Sequence, residues 1–557
     1  MEYLVIGLAA IGLLVFKGIR DKKTYKRKLR QMLEESFGAV SEEEYTSEKF
    51  QAIRKYYNAV KRPKYDVDDI TWNDLELDEL YMTMNQTVSA MGEEYLYAML
   101  RMPEFSSEEL CERERLISLF CTEKEKRIAL QEALYQIGKS NRYSVFECMR
   151  QIQTIKRESN LPHVLSSIAL VLSIGLAFLK PQIGVIATCL VITYNIYSYM
   201  KRKGELDAYL SSVIYLIRLL YAVEDVGKLN IPELSVYTDR MKELNRHFGA
   251  FKRNFWIIGS RKPTGDMLDM FVSYFRMLFH IDLIKFNRML KIYDKHLNEL
   301  NGLYEIVGYL DALCSAASFR VYLGNEGGTV PELVEEGPVY EVKELYHPLL
   351  NEPVKNSITT GNSVLLTGSN ASGKSTFLKT VGVNVLLAQT IHTCMAKNFV
   401  MPFCKLYTSM SLKDSIALKE SYYMAEIKAM KRILDSASKE NMVVCMVDEV
   451  LRGTNTVERI AASTQILKSL TKENVLCMAA THDVELTRTL EKEYDNYHFE
   501  ESMDQDDVRF SYCLKKGRAN SSNAINLLEH LGYDDNLVIK AREMVNRFEQ
   551  QGEWICE

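Results

Sequence analysis

Gly368-Ser369-Asn370-Ala371-Ser372-Gly373-Lys374-Ser375-Thr376 fits the pattern G-x-x-x-x-G-K-S/T, a glycine-rich turn whose successive backbone N–H groups face the oxygens of a nucleotide phosphate. Its surroundings match. An apolar, strand-like run (Val364, Leu365, Leu366) precedes it, and a helix-like run from Phe377 to Gln389 follows. In such a loop Lys374 reaches the β and γ phosphates, the Ser375 hydroxyl ligates Mg²⁺, and the helix start favours the anion. The stretch therefore predicts an α/β domain of the P-loop type in the C-terminal half.

Downstream, Met442 to Val447 is a continuous apolar run of strand length, ending in Asp448 and Glu449. A buried parallel strand ending in two carboxylates suits Mg·ATP chemistry, with Asp448 on the metal and Glu449 polarising the attacking water. A third apolar run, Val475 to Ala480, ends at Thr481-His482-Asp483, which would bring His482 close to the γ-phosphate. Between them lies the turn-rich Arg452-Gly453-Thr454-Asn455-Thr456, suited to placing polar groups at a subunit boundary. Ser421 follows Lys419-Glu420 at the start of a helical pattern, where its hydroxyl stands beside free backbone N–H groups. Most serines so placed are simple helix caps.

Taken together, these blocks resemble the MutS branch of ABC-type ATPases. The loop has that family's G-x-N-x-x-G-K-S-T form, with Asn370 in place. Asp448-Glu449 with Arg452 to Thr456 is similar to its D-E-x-x-R-G-T-x-T block, and Ala480-Thr481-His482 with Glu485-Leu486-Thr487 to its A-T-H-x-x-E-L-T switch. The resemblance implies catalytic roles for Glu449, His482 and Lys374. It implies nucleotide contacts from Gly368, Asn370, Gly373, Lys374, Ser375, Thr376 and Asn455, and metal ligation by Ser375 and Asp448. Ser421 aligns with a signature serine that reaches the partner's γ-phosphate across a homodimer. Ser521-Ser522-Asn523-Ala524 through Leu527, Gly532 and Ala541-Arg542 resemble the helical segment that closes that dimer. Upstream, Thr71 to Leu77, Met91-Gly92, Leu100 to Pro103, Leu310-Asp311 and His347-Pro348 resemble the family's core, lever and approach to the ATPase.

The rest of the chain sets the context. Its 557 residues allow several domains, and a net charge of −5 argues against a protein coated in basic surface. The 11 cysteines are scattered singly, several inside apolar runs, and read as buried hydrophobes in a reducing compartment. Three apolar segments depart from a soluble pattern. Tyr3 to Phe16 is followed by a basic stretch up to Arg30, which fits an uncleaved anchor rather than a cleaved leader. His163 to Leu179 and Ile183 to Met200 contain no Asp, Glu, Lys or Arg. Lys156 and Arg157 stand before the pair, and Lys201, Arg202 and Lys203 after it. Basic residues at both open ends predict a transmembrane hairpin with its ends in the cytoplasm; a pair of buried core helices is the competing reading.

The expected organisation is thus an N-terminal anchor (1–20), a basic helical linker (21–65), and a first core/lever part (66–160). A transmembrane helical hairpin (161–203) and a second, all-α lever part (204–325) follow. The α/β P-loop (ABC-type) ATPase domain (326–515) and a C-terminal helical dimerisation segment (516–557) complete the chain. Only about 65 residues precede the first family-like block, which leaves no room for a mismatch-reading domain. The only Phe-x-Glu pattern, the wedge such a domain uses, is Phe499 to Glu501 inside the ATPase region. With the sequence ending at Glu557, an appended nuclease domain is not expected. The hairpin stands where the family's levers grip DNA, and Val354 where the family favours an aromatic residue against adenine. The basic, aromatic stretch Arg240 to Lys262 reads as a solvated lever face before a DNA patch.

The expected protein is a membrane-tethered, Mg²⁺-dependent ATPase acting as a homodimer. It sits at the cell membrane with its bulk in the cytoplasm, contacts lipid through the three apolar segments, and binds DNA in a repair- or recombination-related role. The alternative is a mechanical or scaffolding ATPase at the membrane that no longer binds DNA.

Overall fold

The computed structural model describes all residues except 1, 42, 61–64, 208, 254–273, 325–327, 336, 338, 370–371, 411–421, 438–441, 453, 505–506, 520–524, 526–527, 530–531 and 552–557. The chain is mixed α/β: mostly helical up to Tyr322, with its strands between Glu332 and Lys516. It divides into two compact units, neither of which is one continuous run. The first comprises 1–61, 85–98 and 117–318; the second comprises 62–84, 99–116 and 319–557.

The helical unit opens with one helix, Glu2–Ser36, that continues from the apolar run into the basic stretch without a break. The unit's interior is organised around buried charges. Asp311 is fully buried and accepts hydrogen bonds from Ser89 N (2.9 Å), Ser89 Oγ (2.6 Å) and Val88 N (3.1 Å), capping the helix that begins at Ala90. Gly92 makes this approach feasible, because a Cβ there would lie 2.2 Å from Asp311 Oδ2. A Gly92→Ala substitution is expected to dislodge the carboxylate and leave its donors unpaired, at a cost of about 3 kcal/mol or more. Denaturant unfolding of the variant measures it, and an unchanged midpoint would contradict the packing.

Helices Leu161–Leu179 and Pro181–Asp207 form a tight antiparallel hairpin, with Gly184 directly against the Ala177 backbone. Both are long and apolar enough to cross a membrane. Large apolar side chains are exposed along them, up to 85% at Phe178 and 82% at Leu179, which is the opposite of a core helix pair. Some polar groups are turned inward. Asn195 donates to Leu278 O (2.9 Å), and Ser167 to Phe279 O (2.8 Å). Residues 274–279 are helical, and these side chains bond carbonyls in their last turn. His280, at φ 51°, then interrupts the helical run before helix Ile281–Lys295.

The second unit carries two sheets. Strands are β1 (Glu332–Val334), β2 (Tyr340–Leu345), β3 (Asn356–Thr360), β4 (Ser363–Thr367) and β5 (Asn398–Pro402). Next come β6 (Lys405–Ser409), β7 (Val443–Asp448), β8 (Val475–Ala480), β9 (Tyr494–Asp504) and β10 (Asp507–Lys516). The larger sheet runs β10-β9-β4-β8-β7-β6, parallel throughout except for the antiparallel β10 edge. The smaller runs β1-β5-β2-β3. β4, β7 and β8 are buried at every position, as expected of parallel strands covered on both faces.

Residues 65–84 finish the β6 edge. Tyr65 OH accepts from Leu406 N (3.0 Å), while Asp74 accepts from Thr408 Oγ1 (2.7 Å) and Met410 N (3.0 Å). An edge strand's free backbone groups are thereby satisfied within the unit. The stretch Thr71 to Leu77, expected to begin the lever, thus packs on the nucleotide-domain sheet.

Candidate nucleotide-hydrolysis site

The strand order builds the site. β8 lies between β4 and β7, with Leu366 opposite Ala480 and Ala480 opposite Asp448. These three strands therefore end at one level, and whatever follows them emerges side by side. After β4 comes the glycine-rich loop, after β7 comes Glu449, and after β8 comes His482. This is the crevice beyond the carboxyl ends of parallel strands, where ligands of open α/β sheets bind.

Two glycines shape the loop. Gly368 has φ 145°, and a Cβ there would meet Ser372 Oγ at 2.9 Å and Phe499 O at 3.0 Å; Gly373 has φ 106° and caps helix Lys374–Thr390. Both conformations disfavour any side chain. Lys374 folds over the loop, donating to the carbonyls of Gly368 (2.8 Å) and Ser369 (2.6 Å). Ser375 Oγ donates to Asp448 Oδ2 at 2.6 Å, so the expected metal pair meets across the two strands.

Glu449 is clamped from both sides. His482 Nε2 lies 2.9 Å from one carboxylate oxygen and Arg452 Nε 2.6 Å from the other. Burial alone would raise its pKa. The His482 hydrogen bond and the Arg452, His482 and Lys374 charges outweigh burial and hold it below the usual carboxylate range. Glu449 and Leu451 both take left-handed backbone angles, φ 59° and 60°, a strain that the surroundings must maintain. The Glu449 N–H is anchored on Ala480 O (2.9 Å), and the Arg452 N–H on the buried carboxylate of Glu426 (3.2 Å).

These groups line a cavity of about 680 Å³ with Ser372, Gly373, Lys374, Ser375, Thr376, Asp448, Glu449, Arg452 and His482 on its walls. That volume suits a nucleotide. Among the described residues Ser372 Oγ is buried there without a hydrogen-bond partner, the kind of orphaned group that a phosphate oxygen satisfies. Asn455, by contrast, caps helix Thr456–Ser469 through Val457 N (3.0 Å) and is not on the cavity wall. Asn370, Ser421, Ser521 to Ala524 and Leu527 lie outside the described residues, as do Trp256 and Arg261 of the basic stretch. The helix that follows Ser421 begins at Tyr422.

The opposite wall holds residues with no motif to announce them. Val354 is there, 42% exposed, and so is Tyr512. Tyr512 sits in a bulge of β10 at φ 52°, its backbone held by Asn356 through Tyr512 O (3.0 Å) and Leu514 N (2.7 Å). The bulge turns the ring toward Gly373. An aromatic face is therefore present, supplied from β10 rather than from position 354. His347 also lines the cavity; burial and then the Lys379 charge lower it to about 4, so the ring is neutral at pH 7.

Residues 364–549 match the family model described as MutS domain V, the ATPase domain of that family. Residues 364–549 form a MutS-family domain. Among curated proteins, a DNA mismatch repair protein MutS from Aquifex pyrophilus is 31% identical over 267 residues, 46% of this chain and 30% of that protein. MutS protein homolog 4 of Mus musculus is 28% identical over 297 residues, 50% of this chain and 30% of that one. DNA mismatch repair protein MutS 2 of Haloarcula marismortui is 32% identical over 185 residues, 32% of this chain and 19% of that protein. The matched region thus spans a third or less of these relatives, and this MutS-family likeness rests on the nucleotide domain and the segments beside it.

Proposed function

We propose that this chain is a membrane-tethered MutS-family ATPase that works as a homodimer and acts on DNA. The observation that carries it is the meeting of the loop Gly373–Ser375, Asp448, Glu449 and His482 at the ends of three adjacent strands. ATP enters with its phosphates along the loop N–H groups and its base toward Tyr512. Lys374 exchanges its two loop carbonyls for phosphate oxygens. Ser375 and Asp448 are the residues that would hold Mg²⁺, which neutralises phosphate charge when bound. Glu449, released from Arg452, accepts the proton of the attacking water, while His482 keeps its remaining oxygen oriented. Ser421 of the partner chain completes the site, and closure of two such sites moves the long helices.

The exposed apolar hairpin supports the tether. A helix surface of that kind is expensive in water and favourable in lipid. The relatives' names include DNA mismatch repair, which supports DNA as what the motion acts on. The test is binding of the detergent-solubilised chain to duplex, mismatched and branched DNA at two salt concentrations, with and without ATP. Affinity that falls steeply with salt and changes with nucleotide is expected. Weak, salt-insensitive binding to all three would leave a mechanical ATPase without DNA.

A further inference from the structure

Beside the hairpin runs an apolar groove of about 460 Å³, with Val164, Ile168 and Val171 on one wall and Phe279, Ile281 and Ile284 on the other. Its one hydroxyl, Ser167, is already engaged with His163 O (2.9 Å) and Phe279 O (2.8 Å). The walls therefore offer a polar ligand nothing. The wall from Val164 to Leu172 rises ~12 Å at 1.5 Å per residue, close to the hydrocarbon depth of one leaflet.

One end of the groove is cationic. Ile281, Ile284, Lys285 and Arg288 recur at helical spacing, so one face of helix Ile281–Lys295 passes from the groove into positive charge. Burial, then the charges of Arg288 and Arg253, hold the Lys285 ammonium below its usual pKa, and no carboxylate is among the causes. Among the described residues none of these three cations forms an ion pair, whereas the nearby Lys252 is paired with Glu224 at 2.7 Å. Asn160, which starts the first hairpin helix, bonds Ile284 O (3.3 Å) and Asn287 (3.0 Å). The cations thus stand level with the point where the chain enters its apolar segment.

We propose that the groove and these cations form one binding site for an anionic phospholipid, with an acyl chain along Val164, Ile168 and Val171 and the phosphate on Lys285, Arg288 and Arg253. Free phosphate or nucleic acid would use the cations and ignore the groove; a neutral lipid would do the reverse. The proposal rests on the membrane reading of the hairpin, and the two are separable by experiment.

The full chain is reconstituted into bilayers of phosphatidylcholine with a minor share of phosphatidylglycerol, each lipid in turn carrying a photoreactive acyl chain. Labelled peptides are mapped, and insertion is read separately by resistance to alkaline extraction. Labelling of groove peptides is expected to favour phosphatidylglycerol. Lys285→Gln with Arg288→Gln should reduce that preference about fivefold per cation removed. Ile168→Trp should abolish groove labelling by filling it, with insertion unchanged in both variants. Equal labelling by the two lipids, or a preference that survives the double variant, overturns the proposal while leaving the tether intact. Loss of duplex binding in the double variant with lipid preference unchanged assigns the cations to nucleic acid and overturns it too. Release of the parent chain by alkali would instead remove the membrane reading itself.

Discussion

Glu449→Gln is expected to lower ATP turnover by about 10²–10⁴-fold while leaving ATP affinity within a few-fold of the parent, because the amide keeps the shape and loses the basicity. The geometry makes the prediction specific. Glu449 is the carboxylate that follows β7, level with the loop and with His482, and its proton affinity is set by neighbours rather than by burial alone. Held below the ordinary carboxylate range, it stays ionised in mild acid, so the acidic limb of the turnover profile should lie below a free glutamate's pKa of about 4.3. Steady-state turnover and equilibrium nucleotide binding on the same preparation check both parts. Turnover like the parent's would remove Glu449 as the base. Lost binding would reassign it to holding nucleotide.

The second large effect concerns the hairpin. Ile174→Arg with Leu190→Arg places a guanidinium near the middle of each apolar helix, at positions 40% and 68% exposed. Since neither side chain is buried, the protein should still fold and retain ATP turnover. In a bilayer each arginine costs about 3 kcal/mol at the helix centre. The pair should therefore shift the balance between inserted and extractable protein by about four orders of magnitude. Alkaline extraction followed by fractionation reads this directly. If the parent chain is as extractable as the variant, the hairpin serves some other purpose than a tether.

Sequence and structure agree most closely where burial is continuous. The strands flanking the site are unbroken apolar runs because both faces are covered, and the chemistry-bearing residues stand at their ends. That Lys374, Ser375, Asp448, Glu449 and His482 lie together at one end of the sheet was therefore legible from order and spacing. The smaller sheet was not, since β5 pairs between β1 and β2 across a long stretch of chain and no local pattern encodes that. The packing of residues 65–84 onto β6 is equally non-local; it rests on Tyr65 and Asp74 meeting backbone groups more than 300 positions away. Tyr512 escaped notice because its place in the site depends on a bulge and a positive φ, neither of which has a residue signature here. Glu426 escaped for a related reason: a buried carboxylate holding one backbone N–H looks like any glutamate on a helix.

The cavity between the glycine-rich loop and the Asp448–Glu449 pair is expected to hold Mg·ATP. Equilibrium ATP binding to the detergent-solubilised chain, with and without Mg²⁺, set beside Lys374→Ala, decides this. Saturable binding that Mg²⁺ strengthens, weakened about 100-fold or more by a substitution removing a charge-assisted bond to phosphate, is the predicted result. Equal binding by parent and variant would contradict it.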